Sequence, residues 1–275
     1  MNIILELEEV HMSSAKKIAR VLPGPVKSVL RAVRDRFGGG ERDRPSTVTI
    51  GSFEGFEVAY RKGTADEPVI SHSFGNDVFF VNVPEYQPRE RDVIIDVGAH
   101  IGTFSLLAAR KVRHGHVHAI EASQDTFNFL RINVALNRCE NVTVHHLALT
   151  DRNGTCTLFH DSGNWGHSVV SAAAATSETV DSATLETFLQ RNRIERCHFM
   201  KLNCEGAEFP ILLTSPKSVL ERFDCMLVLY HCDLWTKSSE TDLVRHLEAS
   251  GFSCVARQQT ERRGWIVATR RTARA

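Results

Sequence analysis

Strand-like and helix-like segments alternate from residue 92 onward, and this alternation restricts the possible folds more than any other feature. Short apolar runs are typical of buried strands, and apolar residues at a period near 3.6 are typical of helices. The predicted elements are strand 92–97, helix 103–112, strand 116–120, helix 123–136, strand 142–147, helix 184–191, strand 198–202, a helix from about 207, strand 225–230, helix 239–249, strand 252–257 and strand 264–269. Repeated strand–helix units predict an α/β fold, a doubly wound and mainly parallel sheet with helices on both faces.

The last two strands are joined differently. Only the segment RQQTERR separates them, which is too short for a helical crossover between parallel strands. We therefore expect them to pair antiparallel, as a hairpin at the end of the sheet.

Two further segments precede this core. Residues 13–37 are basic, with apolar residues at helical spacing and a break at Pro23-Gly24-Pro25. We expect residues 1–45 to form an N-terminal amphipathic helical cap and a linker, with a membrane-surface role as the alternative. Residues 46–90 predict a β-rich extension, with short strands that include 78–81. Residues 91–275 then form the ligand-binding domain.

Composition excludes several classes of protein. The 33 basic and 33 acidic side chains balance, so we expect no nucleic-acid partner. The 7 cysteines form no C-x-x-C pair, which indicates reduced thiols rather than disulfides or structural zinc. No apolar run is long enough for a transmembrane segment, and the first residues lack a basic signal region. We expect a cytoplasmic protein, and a homo-oligomer remains possible.

The segment DVIIDVGAHIGTFS indicates a ligand site. An apolar strand ends at Asp96, and a loop with Gly98 and Gly102 leads into a helix. Ligands of open α/β sheets bind at the carboxyl ends of strands, and glycine lets the backbone approach closely. The next strand ends at Glu121, whose carboxylate can accept hydrogen bonds from both hydroxyls of a ribose.

Two cofactors compete for this loop. A dinucleotide site requires G-x-G-x-x-G, whereas the glycines here are spaced G-x-x-x-G. Asp96 would repel a pyrophosphate but suits the ammonium group of a methionine moiety. Together with the terminal hairpin, this favours S-adenosylmethionine over NAD.

Four blocks of sequence resemble the FkbM-type methyltransferases. VIIDVGAHIGTFSLLAA resembles the cofactor loop of that family, and HVHAIEASQDTFNFLRINVALN its second strand and helix. VHHLALTDRNGTCTLF resembles the third strand, and KLNCEGAEFPIL the signature written K-I-D-V-E-G-A-E. The resemblance implies a Rossmann-like class I methyltransferase sheet and O-methylation of a hydroxyl on a sugar, polyketide or other small molecule.

The resemblance also implies roles for individual residues. Asp96, Gly98, His100 and Gly102 would line the methionine end of the cofactor. Glu121 would hold the ribose, and Ala122 and Ala148 would border the adenine.

Three positions depart from the family pattern. Asn203 replaces an aspartate of the signature, Tyr230, followed by His231, stands where the fifth strand usually has a glutamate, and His100 replaces an asparagine.

A base is needed because an aliphatic hydroxyl must lose a proton during methyl transfer. His231 is the first candidate, since imidazole titrates near neutrality. Glu205 is the second, with binding of backbone amides at the next helix as its alternative role. Asn203 cannot act as a base but can orient the acceptor or the cofactor. Glu208 and Asp233 complete the set of polar residues after these strands.

We expect no metal ion. His114, His116 and His118 resemble a metal-binding run, but no acidic partner is near in sequence. His145 and His146 should point to opposite faces of their strand. A site built from Glu205, Glu208 and Asp233 is disfavoured because Asn203 removes an obvious ligand.

Residues 160–183 interrupt the alternation and predict an irregular, functional loop. Trp165, His167 and Ser168 could face the acceptor, and the alternative is a solvent-exposed hairpin.

The sequence thus predicts an S-adenosylmethionine-dependent methyltransferase with a small-molecule or glycan acceptor. Two alternatives stay open: a non-catalytic binding or scaffold protein on the same fold, suggested by Asn203 and Tyr230, and an NAD-type oxidoreductase.

Overall fold

The computed structural model describes residues 5–6, 47–75, 77–160, 168–170, 176–258 and 260–271. Its strands are β1 Leu5–Glu6, β2 Val48–Phe53, β3 Phe56–Arg61, β4 Val93–Val97, β5 His116–Glu121, β6 Val142–His146, β7 Ala148–Leu149, β8 Gly154–His160, β9 Thr176–Ala183, β10 Cys197–Leu202, β11 Phe223–His231, β12 Phe252–Gln258 and β13 Arg263–Arg270. Its helices are α1 Asp66–Ile70, α2 Val78–Val81, α3 Thr103–Lys111, α4 Gln124–Leu136, α5 Leu185–Arg191, α6 Glu208–Thr214, α7 Lys217–Leu220 and α8 Glu240–Ala249, with a π-helical turn at Ser71–Gly75.

The central sheet has seven strands in the order β12-β13-β11-β10-β4-β5-β6. Neighbours from β6 to β11 run parallel, whereas β13 pairs antiparallel with both β11 and β12. The predicted doubly wound sheet and its antiparallel hairpin are therefore confirmed, and every predicted strand and helix of the core is present. The order reverses at β4, and parallel α/β sheets bind ligands at the carboxyl edge of such a reversal.

Apolar side chains cover both faces of this sheet. Ile94 and Phe199 pack in one buried cluster, while their chain neighbours Ile95 and Met200 pack in another. This alternation follows from the two-residue period of a strand, and it requires helices on both faces. The buried faces fix the register, so the carboxyl ends of β4, β5, β10 and β11 meet at one edge.

The extension between residues 46 and 90 is β-rich only at its start. β2 pairs antiparallel with β1 and β3 in a three-stranded sheet. The predicted strand at 78–81 is wrong, because these residues form helix α2. The side chain of Asp77 accepts a hydrogen bond from the amide of Phe80 and caps this helix, and the Phe79 and Phe80 rings pack on Phe104 of α3.

The expected irregular loop at 160–183 also contains a strand. β9 pairs antiparallel with β8 and parallel with β7, in a second three-stranded sheet of order β7-β9-β8. Ser168 bridges back to Phe159 through two backbone hydrogen bonds of 2.9 and 3.0 Å. Trp165 and His167 lie outside the described residues, as do the N-terminal helices expected within 13–37. Among the helices described, none has both the length and the apolar character needed to cross a membrane.

Candidate active site

A cavity of about 360 Å³ opens at the carboxyl edge of the sheet. It is lined by residues that end or follow the central strands, among them Gly98, Glu121, Asn203 and His231. This volume lies in the range of small-molecule and cofactor sites, about 300–1,000 Å³. The sequence-based expectation of a ligand site at this edge thus coincides with the cavity.

The loop after β4 depends on two glycines for reasons of packing. Gly98 has φ 73°, and a Cβ there would lie 1.9 Å from the backbone oxygen of Asn203. Gly102 has φ 90° and precedes α3, where a Cβ would lie 2.6 Å from Cδ1 of Leu130. Protein atoms, rather than a ligand, therefore exclude a side chain at both positions. Gly98 lines the cavity, whereas Gly102 is not among its lining residues.

Glu121 stands at the end of β5 with only 7% of its surface exposed. Its Oε2 accepts a hydrogen bond from the amide of His100, and its Oε1 from the amide of Ser123, both at 2.9 Å. Burial raises the pKa of Glu121, although these two hydrogen bonds favour the carboxylate. Each oxygen has further acceptor capacity, so the fixed carboxylate can still bind hydroxyl groups from the cavity.

Asp96 is placed beneath the cavity rather than on its wall. The side chain is fully buried, and its two oxygens contact Nζ of Lys201 at 2.8 Å and Oγ of Ser105 at 2.6 Å. Nζ of Lys201 also donates to the oxygen of Gly98 at 2.9 Å, and Lys201 lines the cavity. The carboxylate thus holds Lys201 and the glycine loop, and its expected contact with a methionine moiety stays a prediction.

His100 connects this loop to the extension. The residue has φ 54°, lines the cavity, and its Nε2 lies 3.6 Å from Oδ1 of Asp66. Asp66 is itself fixed by Arg61, through Nε–Oδ2 and Nη2–Oδ1 contacts of 2.9 Å each. The extension therefore contributes a buried ion pair that supports the cavity from outside the central sheet.

Small and apolar side chains form the part of the cavity wall that follows Glu121 in the chain. Ala122 and Ala148 both line the cavity, next to Leu158 and Val169. Ala148 and Leu158 belong to one buried apolar cluster, against which Ala122 and Val169 pack. A flat apolar ring fits a surface of this kind better than a charged group does.

Asn203 follows β10 and lines the cavity. Its amide donates to the oxygen of Val97 at 3.0 Å, which fixes the backbone beside Gly98. Within the described part of the chain, its Oδ1 is buried and has no hydrogen-bond partner. An unsatisfied buried acceptor is costly, so this atom is a candidate partner for a donor group of a ligand.

His231 ends β11 between two carboxylates. Its Nδ1 lies 3.0 Å from Oε1 of Glu208, and its Nε2 lies 3.6 Å from Oε2 of Glu205. Burial alone lowers the pKa of His231, but the hydrogen bond to Glu208 and the charges of both carboxylates outweigh it, so the pKa is raised. Burial also raises the pKa of Glu205. The imidazole and Glu205 both line the cavity.

Glu208, not Glu205, binds the backbone amides near the start of α6. Its oxygens accept from the amide of Cys204 at 2.8 Å and from that of Gly206 at 2.7 Å. Glu205 instead has φ 50°, and its own backbone oxygen accepts from Oγ of Ser168 at 2.8 Å. This strained turn places the Glu205 side chain on the cavity wall.

Asp233, after β11, and Tyr230, within it, are engaged away from the cavity. Oδ2 of Asp233 accepts from Nε and Nη2 of Arg263 at 2.9 and 2.6 Å. Burial alone would raise the pKa of Asp233, but the hydrogen bonds and charge of Arg263 outweigh it, so the pKa is lowered. Tyr230 is buried in the core, while its neighbours Leu229 and His231 line the cavity. The side chains of β11 that face the cavity are therefore those of Leu229 and His231, and the polar one is histidine.

One histidine of β5 and one of β6 form a partly buried contact away from the cavity. Nδ1 of His118 lies 3.2 Å from Nε2 of His145, and both rings pack on Phe188. Burial lowers the pKa of His118 to about 3 and that of His145 to about 4. His146 points the other way and contacts the oxygen of Ala122 at 2.9 Å, as expected from strand geometry. Among the described residues, no group of three or more suitable side chains could hold a metal ion.

Sequence reasoning missed the wall that the extension contributes. These lining residues are Pro68, Val69, His72, Val78, Phe79 and Asn82. The apolar run around Phe79 was visible, but its interpretation as a strand gave no reason to place it at the ligand site.

The strand order, the terminal hairpin and a carboxylate at the end of β5 define a class I methyltransferase fold. The family model for the methyltransferase FkbM domain matches residues 96–254, more than half of the chain. The chain therefore belongs to the FkbM methyltransferase family, and its cofactor is S-adenosylmethionine.

Several solved structures are similar to the chain at low identity. A methyltransferase FkbM from Methylobacillus flagellatus is 13% identical with a TM-score of 0.48, over 94% of this chain and 58% of that one. An S-adenosylmethionine-dependent methyltransferase from Aquifex aeolicus is 15% identical with a TM-score of 0.41, over 72% and 92%. A precorrin-6y C5,15-methyltransferase from Geobacter metallireducens is 17% identical with a TM-score of 0.43, over 71% and 88%. No curated protein matches the chain.

The described residues fit S-adenosylmethionine. Glu121 offers two fixed oxygens to a ribose, and the apolar surface of Ala122 and Ala148 suits an adenine. The unpartnered Oδ1 of Asn203 suits an ammonium group. Acceptor atoms, an apolar surface and a sufficient volume thus occur in one cavity.

Proposed function

We propose that the protein transfers the methyl group of S-adenosylmethionine to a hydroxyl oxygen on a sugar, polyketide or other small molecule. The observation that carries this proposal is the contact between His231 and Glu208, with the imidazole on the cavity wall. An aliphatic hydroxyl keeps its proton at neutral pH and must lose it during methyl transfer. A general base assists this step, and the imidazole of His231 can act as that base.

The hydrogen bonds around Glu208 determine which nitrogen of His231 can accept a proton. Glu208 accepts from two backbone amides and can act only as an acceptor toward Nδ1 as well. Nδ1 therefore carries hydrogen, which leaves the lone pair of Nε2 on the side of Glu205. Nε2 takes the proton of the acceptor hydroxyl, and the two carboxylates stabilise the imidazolium that results.

The bound cofactor supplies an electrophilic methyl group on a sulfonium. Glu121 would hold its ribose, Ala122 and Ala148 would contact its adenine, and Asn203 would accept from its ammonium group. Asp96 contributes indirectly, because it fixes Lys201 and the oxygen of Gly98. Methyl transfer is an in-line displacement, so these contacts accelerate it chiefly by positioning.

The experiment is an acceptor screen that follows release of S-adenosylhomocysteine from the full chain. Hydroxylated sugars, polyketide alcohols and phenols are compared with amines and thiols of similar size. We expect release with hydroxyl acceptors only, and about a hundredfold lower kcat for His231→Gln. The exposed His114→Gln variant serves as the matched control.

Methylation of nitrogen or sulfur would overturn the oxygen assignment, and full activity of His231→Gln would remove the base. Cofactor binding without release for any acceptor would instead favour the scaffold alternative.

A further inference from the structure

Six of the residues that line the cavity come from the extension, β11 and β13, and we name this group the far end. Its lining residues are Val69, Val78, Phe79, Asn82, Leu229 and Trp265. Apart from Leu229, these lie outside residues 96–254, the part of the chain that matches the family model. Glu121, Asn203 and His231 all lie inside it. The far end is therefore built mainly from residues outside the family match.

The strand order separates the far end from Glu121. Glu121 ends β5, whereas Leu229 and Trp265 face each other across the β11–β13 pair, on the opposite side of β10. His231 follows Leu229 by two residues on the same strand, β11, so both side chains are on one face of the sheet and His231 borders the far end. A molecule that binds at the far end therefore lies beside the imidazole, with β4 and β10 between it and the strand that ends at Glu121.

Arg257 links the two parts of the far end that come from the extension and from the β12–β13 hairpin. Its Nη1 donates to the oxygen of Asn82, and its Nη2 lies 3.8 Å from Oε1 of Glu85. Arg257 also pairs with Trp265 across the β12–β13 hairpin. The extension and the hairpin, from distant parts of the chain, thus form one wall with a defined shape.

The far end offers aromatic and aliphatic surface and no charged side chain among the six residues that define it. The cations beside it are engaged: Nζ of Lys201, 5.4 Å from the centre of the Phe79 ring, is paired with Asp96 at 2.8 Å. The Arg257 guanidinium donates to the oxygen of Asn82 and lies 3.8 Å from Oε1 of Glu85. Glu205 adds a carboxylate to the same cavity. An anionic group would lose hydration here without gaining a free cation, so its binding is disfavoured.

The far end also contains a hydrogen-bond donor, the indole of Trp265. Nε1 of Trp265 is buried and has no hydrogen-bond partner among the described residues. Indole is a donor only, so it suits a neutral oxygen of a ligand. His72, which also lines the cavity, is exposed to solvent and retains its own hydration.

We propose that the far end is the acceptor subsite, and that it selects uncharged hydroxyl compounds with an apolar ring over phosphorylated compounds and over polar sugars. Phe79 and Trp265 are its specificity-determining residues. The proposal rests on the proposed function, since it assumes that the acceptor reaches His231 through this cavity.

The test is calorimetric binding to the full chain saturated with S-adenosylhomocysteine, so that no turnover occurs. The probes are 2-naphthol, 2-naphthyl phosphate and methyl glucoside, which vary charge and apolar surface separately. We expect 2-naphthol to bind at least about tenfold more tightly than either of the others.

Variants then test the two aromatic residues. Phe79→Ala and Trp265→Ala should each weaken 2-naphthol binding about fivefold or more, with unchanged affinity for S-adenosylhomocysteine. Val81→Ala is the matched control, because Val81 lies on the same short helix as Phe79 with 67% of its surface exposed.

Equal or tighter binding of the phosphate or the glucoside would overturn the proposal. So would unchanged 2-naphthol affinity in both aromatic variants, or no binding of 2-naphthol to the unaltered chain. Failure of the unaltered chain to bind S-adenosylhomocysteine would instead contradict the proposed function.

Discussion

Glu208 and His231 are joined by a hydrogen bond of 3.0 Å between Oε1 and Nδ1, although one begins α6 and the other ends β11. The same carboxylate holds the amides of Cys204 and Gly206. The orientation of the imidazole is therefore tied to the turn that carries Asn203 and Glu205. A change in that turn alters both the imidazole and the residues beside it.

We expect Glu208→Gln to move the acid limb of the kcat/KM profile to lower pH. The pKa of His231 is raised in part by Glu208, and a base acts only when neutral, so activity is lost as pH falls through that pKa. Removal of the charge lowers the pKa and shifts the limb accordingly. Loss of orientation should also reduce kcat about tenfold to a hundredfold. The measurement is a pH–rate profile, with the exposed Glu248→Gln as control. An unmoved acid limb would show that Glu208 does not tune His231.

Gly98→Ala should destabilise the protein by about 3 kcal/mol or more, because it combines a positive φ with a clash against Asn203. Gly63→Ala is a matched control, since Gly63 has φ 75° but no atom within 4 Å of the position that a Cβ would take. Its cost should be about 1 kcal/mol, from the backbone conformation alone. Chemical denaturation measures both, and equal costs would contradict the packing explanation.

Asp96→Ala should lower the free energy of unfolding by about 3–5 kcal/mol, because it leaves the Lys201 ammonium buried without its partner. The double variant with Lys201→Met should recover much of that loss. Glu90→Ala, which breaks the exposed pair with Arg113, should cost about 1 kcal/mol or less. If Asp96→Ala weakens cofactor binding without loss of stability, Asp96 contacts the ligand directly rather than through Lys201.

Glu121→Gln should weaken S-adenosylhomocysteine binding about tenfold to a hundredfold, since hydrogen bonds to a charged acceptor contribute about 1.5–3 kcal/mol. Calorimetry measures the affinity directly. At a ligand concentration of a hundred times Kd, binding raises the free energy of unfolding by about 2.7 kcal/mol, and this increase should fall in the variant at the same ligand concentration. Glu221→Gln, half exposed beside Lys217, should leave both quantities unchanged. Unaltered affinity in Glu121→Gln would place the ribose elsewhere.

The sequence predicts the central sheet well because its signals are local and repeated. The central strands bury both faces and the helices one, so apolar periodicity indicates them. The short segment RQQTERR alone requires an antiparallel hairpin. The positions of Gly98, Glu121 and His231 then follow from the edge at which parallel strands end.

What the sequence does not reveal depends on contacts between distant residues. Nothing near Asp96 in sequence indicates that Lys201 will occupy its carboxylate. Likewise, the apolar residues at 78–81 suit a strand or a buried helix, and the cap by Asp77 together with packing on Phe104 decides the outcome. The bond between Glu208 and His231 could be suspected from two strand ends that meet, but its geometry could not.

β13 follows β12 in the chain yet separates it from β11 in the sheet. During synthesis, β12 therefore cannot join the sheet until β13 has left the ribosome and paired with β11. Trp265 lies on that strand, so the cavity wall that it contributes is completed only when β13 is in place. A nascent or shortened chain that stops before β13 would keep the cofactor loop but lose the wall that lies next to His231.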